Sequence, residues 1–144
     1  EMLEAGTRLV EAGMNLSSMV LLGLAGKGPR SLEHARATAE ITNAMRPRYL
    51  AALTVTPVPG TVLYSQVEKG AFELPDAFET LAEMRELIAG ITIDGLKFVG
   101  VHASNYLPLN GTLQKDRAAM LSRIDTVLET RDHNLLRPEH MRGL

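Results

Sequence analysis

Residues 16–29 join an apolar run to a glycine-rich turn: Leu16-Ser17-Ser18-Met19-Val20-Leu21-Leu22-Gly23-Leu24-Ala25-Gly26-Lys27-Gly28-Pro29. The run from Leu16 to Leu22 lacks a helical period and ends in consecutive apolar residues, which is typical of a strand buried in a parallel sheet. Ser31 then has the character of a helix N-cap, and the helix is expected to run to about Met45. This part of the chain is therefore predicted to form a strand, a turn and a helix.

Similar patterns lie on both sides of this unit. A helix is predicted before it, from Met2 to Ala12, with Gly13 in the place of a C-cap. Two further strand–helix units are predicted after it. Their elements are the strand Tyr49 to Thr56, one helical turn around Leu63 to Lys69, a helix from Pro75 to Gly90, the strand Leu96 to Val101, an irregular loop from His102 to Gly111, and an amphipathic helix marked by Leu113, Met120, Ile124 and Leu128.

The alternation of apolar strands with helices predicts an α/β fold with right-handed crossovers and a parallel sheet. Three strand–helix units are too few to close a barrel, which usually has about eight strands. We therefore expect a partial, incomplete TIM-like barrel preceded by a helix. Residues 1–131 are assigned to it, and residues 132–144 to a polar, poorly patterned tail. Because the chain opens in a helix and without Met, it is interpreted as a fragment of a longer protein.

Composition excludes several kinds of chemistry. None of the 144 residues is cysteine, so the chain itself offers no disulfide, thiolate catalyst or cysteine-held zinc or iron–sulfur cluster. A net charge of −2 argues against a broad nucleic-acid surface or a polybasic membrane anchor. The apolar runs are too short to cross a bilayer, and the first residues do not resemble a signal peptide. We expect a cytoplasmic protein without a membrane partner.

The turn from Gly23 to Gly28 lies between a strand and a helix, where backbone N–H groups can bind an anion. It does not match the phosphate-binding loop of nucleotide hydrolases, because Lys27 is followed by Gly28 where that motif has Ser or Thr. Two interpretations stay open from the residues alone: a tight connection without a ligand, or a cradle for a nucleotide or phosphorylated compound.

Polar side chains cluster in the loop after the third predicted strand, at His102, Ser104, Asn105 and Tyr106. Ligands of parallel α/β folds bind at the carboxyl ends of the strands, which makes this loop a candidate substrate site. His102 is suited to act as a general base or to hydrogen-bond a substrate, and equally to bond a neighbouring backbone carbonyl.

The other titratable residues predict no site. His34, His133 and His140 are expected at the surface, and no pair of histidines has the spacing of metal ligands, so no metal is expected in this chain. The glutamates of the long connection and its helix are predicted to form solvated faces; they are Glu68, Glu73, Glu79, Glu83 and Glu86.

Three motifs together resemble one family. Met19 to Gly26 resembles the fifth-strand motif of radical S-adenosylmethionine enzymes, where an apolar strand enters a Gly-Leu-Pro-Gly or Gly-Leu-Gly-Gly turn. Val58 to Tyr64 is similar to the Pro-Gly-Thr-Pro-Leu-Tyr segment after their sixth strand. His102 to Leu109 resembles a signature of an iron–sulfur oxidoreductase subgroup, itself loosely similar to oxygen-independent coproporphyrinogen III oxidase. The resemblance covers most of residues 1–131.

The chain departs from the family in ways that limit what the resemblance implies. Such enzymes need a Cys-x-x-x-Cys-x-x-Cys loop for a 4Fe–4S cluster, and this chain has no cysteine. Lys27 stands where an acidic residue is usual, and Ala25 where Pro or Gly is usual. The resemblance therefore implies a parent enzyme that cleaves S-adenosylmethionine reductively to a 5′-deoxyadenosyl radical. The piece itself is expected to be inactive, to hold no catalytic residue, and to bind neither group alone.

The resemblance also implies residue roles. Leu21, Gly23 and Leu24 would lie near the adenosyl end of the cofactor, with Val55 and Thr56 close by. The loop that contains His102, Ser104, Asn105 and Tyr106 would face the substrate, a small molecule or a macromolecule that the sequence does not identify.

Partners and alternatives follow from the same residues. The N-terminal remainder of the polypeptide is the expected partner, and self-association is expected because an opened barrel leaves unpaired strand edges. The alternative is a small α/β module that binds a nucleotide or phosphorylated ligand through Gly23 to Gly28. A domain for folding or interaction without a ligand is the third possibility.

Overall fold

The computed structural model of the chain describes residues 1–143. Two short 3-10 turns, His133–Leu135 and Glu139–Met141, follow the last helix. The helices and strands are α1 (Met2–Glu11), β1 (Ser17–Leu22), α2 (Pro29–Met45), β2 (Tyr49–Thr54), α3 (Val62–Glu68), α4 (Ala77–Gly90), β3 (Leu96–Gly100), β4 (Leu109–Leu113) and α5 (Arg117–Thr130).

The four strands form one open sheet in the order β1-β2-β3-β4. The β1–β2 and β2–β3 pairs are parallel, as the alternation of strands and helices predicts. The β3–β4 pair is antiparallel, so the expectation of a wholly parallel sheet is wrong at its last strand. Only residues 101–108 connect β3 to β4. That length is too short for a parallel crossover, which needs a dozen or more residues, so the chain turns back beside β3.

Strand β4 corrects two predictions. The segment from His102 to Gly111 is not all loop, because β4 begins at Leu109. Leu113 ends that strand and does not belong to the following helix, which begins at Arg117. The residues between Leu109 and Leu113 are Asn110, Gly111 and Thr112. They lack the alternation of apolar and polar residues by which a strand is recognised in a sequence.

Other element boundaries shift by a few residues. Helix α2 has Gly28 as its N-cap and Pro29 in its first turn, so Ser31 is not the cap. Strand β2 ends at Thr54, which leaves Val55 and Thr56 just beyond it. Helix α3 covers seven residues where one turn was predicted, and the Thr61 hydroxyl caps it by accepting from the Tyr64 N–H at 3.2 Å.

The two faces of the sheet differ. Burial alternates along β2 and β3, and Leu50, Ala52, Leu96 and Phe98 are almost completely buried on one face. Helices α2, α4 and α5 supply the other half of this core through Ala35, Ala39, Leu81, Met84, Leu87, Ile88, Met120 and Ile124.

The opposite face carries the alternate residues of each strand. On β1 these are Met19, 76% exposed, and Leu21, 42% exposed. Lys97 and Asn110 are exposed on the corresponding positions of β3 and β4. We call this surface the open face of the sheet.

Candidate functional site

The carboxyl ends of β1 and β2 lie side by side. The Val55 N–H donates to the carbonyl of Leu22 at 2.9 Å, which extends the parallel pairing one residue past β2. Gly23 adopts φ +85°, and a Cβ there would lie 3.0 Å from Val55 Cγ1 and 3.1 Å from Pro75 Cγ. The sequence-based expectation that Gly23 and Val55 are neighbours is confirmed, and the close approach is possible because Gly23 has no side chain.

A buried carboxylate holds the turn after β1. Glu83 of α4 is fully buried, so its prediction as part of a solvated face is wrong. Its Oε2 accepts from the Gly23 N–H at 2.9 Å and from the Ser31 hydroxyl at 2.6 Å. Its Oε1 lies 3.0 Å from Nδ1 of His34, whose side chain is only about one-third exposed. One side chain thus connects the turn, the first turn of α2, and α4.

Three of the six N–H groups in the glycine turn, residues 23–28, donate within the protein. Gly23 donates to Glu83, Gly26 donates to the Gly23 carbonyl at 3.1 Å, and Lys27 donates to the Glu73 carbonyl at 2.9 Å. The Lys27 ammonium lies 3.0 Å from the Glu73 carboxylate, which raises the pKa of Lys27 by hydrogen bonding and by charge. These three amides are therefore not free to bind an anion in this conformation.

Leu21 and Leu24 lie at an apolar surface beside β1. Both contribute to a groove of about 620 Å³ between α1, α2 and the free edge of β1. The groove is also lined by Leu9, Leu16 and Met45. Leu21 is 42% exposed and Leu24 is 48% exposed, so both leucines present apolar surface to solvent.

In the loop after β3, the buried Ser104 side chain links the end of β2 to His102. Its hydroxyl accepts from the Thr54 N–H at 3.0 Å and lies 2.9 Å from His102 Nδ1. The Ser104 N–H also points at His102 Nδ1, at 3.2 Å. Because Nδ1 accepts from that backbone N–H, the geometry favours the His102 tautomer with its proton on Nε2. His102 is half-buried and leaves that Nε2–H as its second polar group.

Asn105 is completely buried and joins two strand ends. Its Nδ2 donates to the carbonyls of Ala52 at 2.7 Å and Gly100 at 3.0 Å. Its Oδ1 accepts from the Thr54 hydroxyl at 2.9 Å. Both polar atoms of the amide are used inside the protein, so Asn105 sets the position of the loop and has no atom left for a ligand in this conformation.

Tyr106 closes the same end of the sheet. Arg142 lies over its ring with the guanidinium carbon 3.7 Å from the ring centre. Burial raises the pKa of Tyr106 above its ordinary value, and the positive charge of Arg142 partly opposes that shift. Together with Thr54, Val55 and Pro75, these two residues line a small pocket of about 120 Å³ at the carboxyl end of β2.

The structure divides the predicted site residues into three groups. Gly23, Val55 and the half-buried Thr56 lie at adjacent strand ends, with Tyr106 on the pocket beside Val55. Leu21, on the open face at the edge of the sheet, and Leu24 both line the apolar groove. His102, Ser104 and Asn105 lie in the loop between β3 and β4, where Ser104 and Asn105 hydrogen-bond to the ends of β2 and β3.

Sequence reasoning missed Glu83, Thr54 and the tail arginines. Glu83 lies three residues after Thr80 and four before Leu87, both buried on α4, so helical spacing contained a signal for its burial. Nothing in the local sequence near Arg142 indicates its partner Tyr106, which lies far away along the chain.

No protein-family model matches the chain, and a comparison with curated proteins finds no match. Within residues 1–143, no helix is long and apolar enough to cross a membrane. The same described residues contain no group of three or more His, Cys, Asp or Glu side chains placed to hold a metal ion.

Proposed function

We propose that this chain is the C-terminal part of a radical S-adenosylmethionine enzyme, with the N-terminal remainder of the polypeptide as its partner in the cytoplasm. The observation that carries the proposal is the one-sided sheet. Helices cover one face, while the open face presents Met19 and Leu21 beside the glycine turn. A face of this kind suits the interior of a barrel, where side chains and ligands fill the space between strands.

The residues at the ends of β1 and β2 support a role in holding the adenosyl group. Leu21 and Leu24 offer exposed apolar surface, which suits contact with a flat aromatic base. Gly23 contributes by its lack of a side chain, because its N–H is already bonded to Glu83. Val55 and Thr56 follow β2 directly and form the adjacent wall. In this proposal the protein orients the cofactor and excludes water, and the radical chemistry comes from the cofactor.

The iron–sulfur cluster does not fit the residues of this chain. Three thiolates are required, and the sequence has no cysteine. The ligands would have to come from the N-terminal remainder, so no step involving the cluster is assigned to any residue here. The chain alone is proposed to be inactive.

The loop after β3 supports the substrate side of the proposed pocket. Ser104 and Asn105 fix it to the ends of β2 and β3 through buried hydrogen bonds. That arrangement leaves His102 Nε2 and the Tyr106 ring as the groups able to meet a substrate, a small molecule or a macromolecule. The pairing of the Gly23, Gly26 and Lys27 amides counts against the alternative, a module that binds a nucleotide or phosphorylated ligand through Gly23 to Gly28.

The proposal is tested with the complete open reading frame that contains this sequence. We expect an in-frame Cys-x-x-x-Cys-x-x-Cys upstream of Glu1. After anaerobic purification and reconstitution with iron and sulfide, we expect cluster absorbance and dithionite-dependent formation of 5′-deoxyadenosine from S-adenosylmethionine. A reading frame without the three cysteines, or a loaded protein that forms no 5′-deoxyadenosine, would refute the proposal.

Two variants of the complete protein test the role of the open face. Leu21→Lys places a charge on the proposed adenosyl surface, so we expect a loss of S-adenosylmethionine affinity of at least tenfold. Lys97→Ala, on an exposed position of the same face at β3, is the matched control and is expected to retain affinity. Equal affinities for wild type and Leu21→Lys would remove Leu21 from the site.

A further inference from the structure

The segment after α5 packs against the loop that follows β3. We call residues 132–143 the strap. Its Leu136 is 7% exposed, and the Arg137 N–H donates to the Tyr106 carbonyl at 2.7 Å. Nη1 of Arg137 carries two N–H groups and lies within hydrogen-bonding distance of three carbonyl oxygens of the loop: His102 at 2.8 Å, Ala103 at 2.8 Å and Asn105 at 3.0 Å. A single cation therefore lies against the carbonyls of three of the four residues from His102 to Asn105.

A second arginine fixes the far end of the strap. Arg142 Nε donates to the Ser104 carbonyl at 2.8 Å, and the guanidinium stacks on the ring of Tyr106. Glu139 pairs with Arg142 at 2.6 Å, which orients the guanidinium over the ring. The Arg142 side chain is only 9% exposed, so these contacts are shielded from water.

The strap covers the end of the sheet where ligands of parallel α/β folds bind. The pocket left beneath it is about 120 Å³ and is lined by Thr54, Val55 and Tyr106 from the body, and by Glu139 and Arg142 from the strap. Pockets for small molecules usually measure about 300–1,000 Å³. The closed strap therefore leaves too little room for a ligand of ordinary size.

The strap is attached weakly compared with the core. Leu136 is its one buried apolar side chain among the described residues, and most of its other residues are exposed. Besides Leu136, the strap is held by the two arginines and by His133, whose ring centre lies 4.8 Å from that of Phe78 on α4. Segments with few buried apolar contacts open at a lower free energy than the core elements.

We propose that residues 132–143 form a displaceable strap that closes the carboxyl-end pocket, with Arg137 as its latch. When the strap opens, the carbonyls of His102, Ala103 and Asn105 lose their shared cation, and the pocket gains the space now filled by Arg142. This inference depends on these contacts alone, so it holds whether or not the proposed function does.

Hydrogen exchange in the full 144-residue chain tests the latch. In Arg137→Ala we expect amides of residues 102–106 and 132–143 to exchange at least tenfold faster, while those of β2 and α4 stay within twofold of wild type. Arg137→Lys keeps a cation with three donors and is expected to restore most of the protection. Arg123→Ala, an exposed change of the same charge on α5, is the control and is expected to alter neither region.

Labelling of Tyr106 tests whether the pocket opens. Tetranitromethane should nitrate Tyr106 at least fivefold faster in Arg137→Ala and in Arg142→Ala than in wild type, with Tyr49 and Tyr64 as internal references. Faster amide exchange confined to residues 102–106 and 132–143, together with faster nitration of Tyr106, supports the displaceable strap. Unchanged exchange in residues 102–106, unchanged Tyr106 labelling, or faster exchange that spreads equally through β2 and α4 would overturn it.

Discussion

Replacing Glu83 tests whether the buried carboxylate holds the glycine turn. Glu83→Ala removes the acceptor for the Gly23 N–H and the Ser31 hydroxyl, both of which are buried at these bonds. Each buried donor left without a partner costs about 1–3 kcal/mol. We therefore expect Glu83→Ala to lower the free energy of unfolding by about 2–6 kcal/mol, a large share of the roughly 5–15 kcal/mol typical of a domain.

The variant Glu83→Gln keeps the shape of the side chain and removes its negative charge, so it separates the two contributions to stability. In Glu83→Gln the amide oxygen can take the place of Oε2 and accept from Gly23 and Ser31. The amide nitrogen then faces His34 Nδ1, which can accept because the imidazole proton can move to Nε2. We expect a cost of only about 1–2 kcal/mol for this variant, since a neutral acceptor replaces a charged one.

The measurement is urea unfolding followed by far-ultraviolet circular dichroism. Glu86→Ala is the matched control, because Glu86 is on the same helix and pairs at 2.6 Å with the mostly exposed Arg36. That surface pair is expected to contribute about 0–1 kcal/mol. Ser31→Ala, expected to cost about 1–2 kcal/mol, gives a second measure if Glu83→Ala does not fold. Equal stabilities for Glu83→Ala and Glu86→Ala would refute the structural role assigned to Glu83.

Three further outcomes are expected. Arg85 bonds Asp125 at 2.5 Å and lowers the pKa of that carboxyl, so Asp125→Asn should cost about 0.2–1 kcal/mol at neutral pH. That cost should shrink in urea titrations as pH falls through the lowered pKa of Asp125, and a cost that does not change with pH would contradict it. In ultraviolet titration Tyr106 should ionise above its ordinary pKa of 10.0 because it is partly buried, and closer to 10.0 in Arg142→Ala, where the opened strap removes part of that burial; an ordinary pKa for Tyr106 in the wild type would contradict its burial under the strap. Light scattering should show mass rising with concentration, less so in Met19→Lys, whereas a constant monomer mass would argue against an open strand edge.

Much of the fold could be predicted because its signals are local. The apolar run to Leu22, the glycine turn and the spacing along α4 each depend on neighbouring residues. The adjacency of Gly23 and Val55 also followed, since parallel strands joined by one helix are usually neighbours. Strand β4 was not predicted because Asn110, Gly111 and Thr112 break the apolar pattern expected of a buried strand. Its antiparallel position beside β3 follows from the short connection between the two strands.

The candidate site was only partly predictable. The sequence identified the residues from His102 to Tyr106 as a polar cluster at a strand end. It did not reveal that the side chains of Ser104 and Asn105 form buried hydrogen bonds within the protein. That outcome depends on Thr54 and Ala52, which lie about fifty residues away along the chain.

The sequence by itself determined the order of the first three strands and their helices, the lack of thiolate ligands, and the glycine that the turn after β1 requires. Tertiary structure decided which polar groups are buried and which partners they have. Glu83 resembles any helical glutamate until α4 packs beside Gly23 and Ser31, and Arg137 looks like a tail residue until it reaches three loop carbonyls. Local propensity acts over a few residues, whereas desolvation and hydrogen bonding act between groups that only the folded chain brings together.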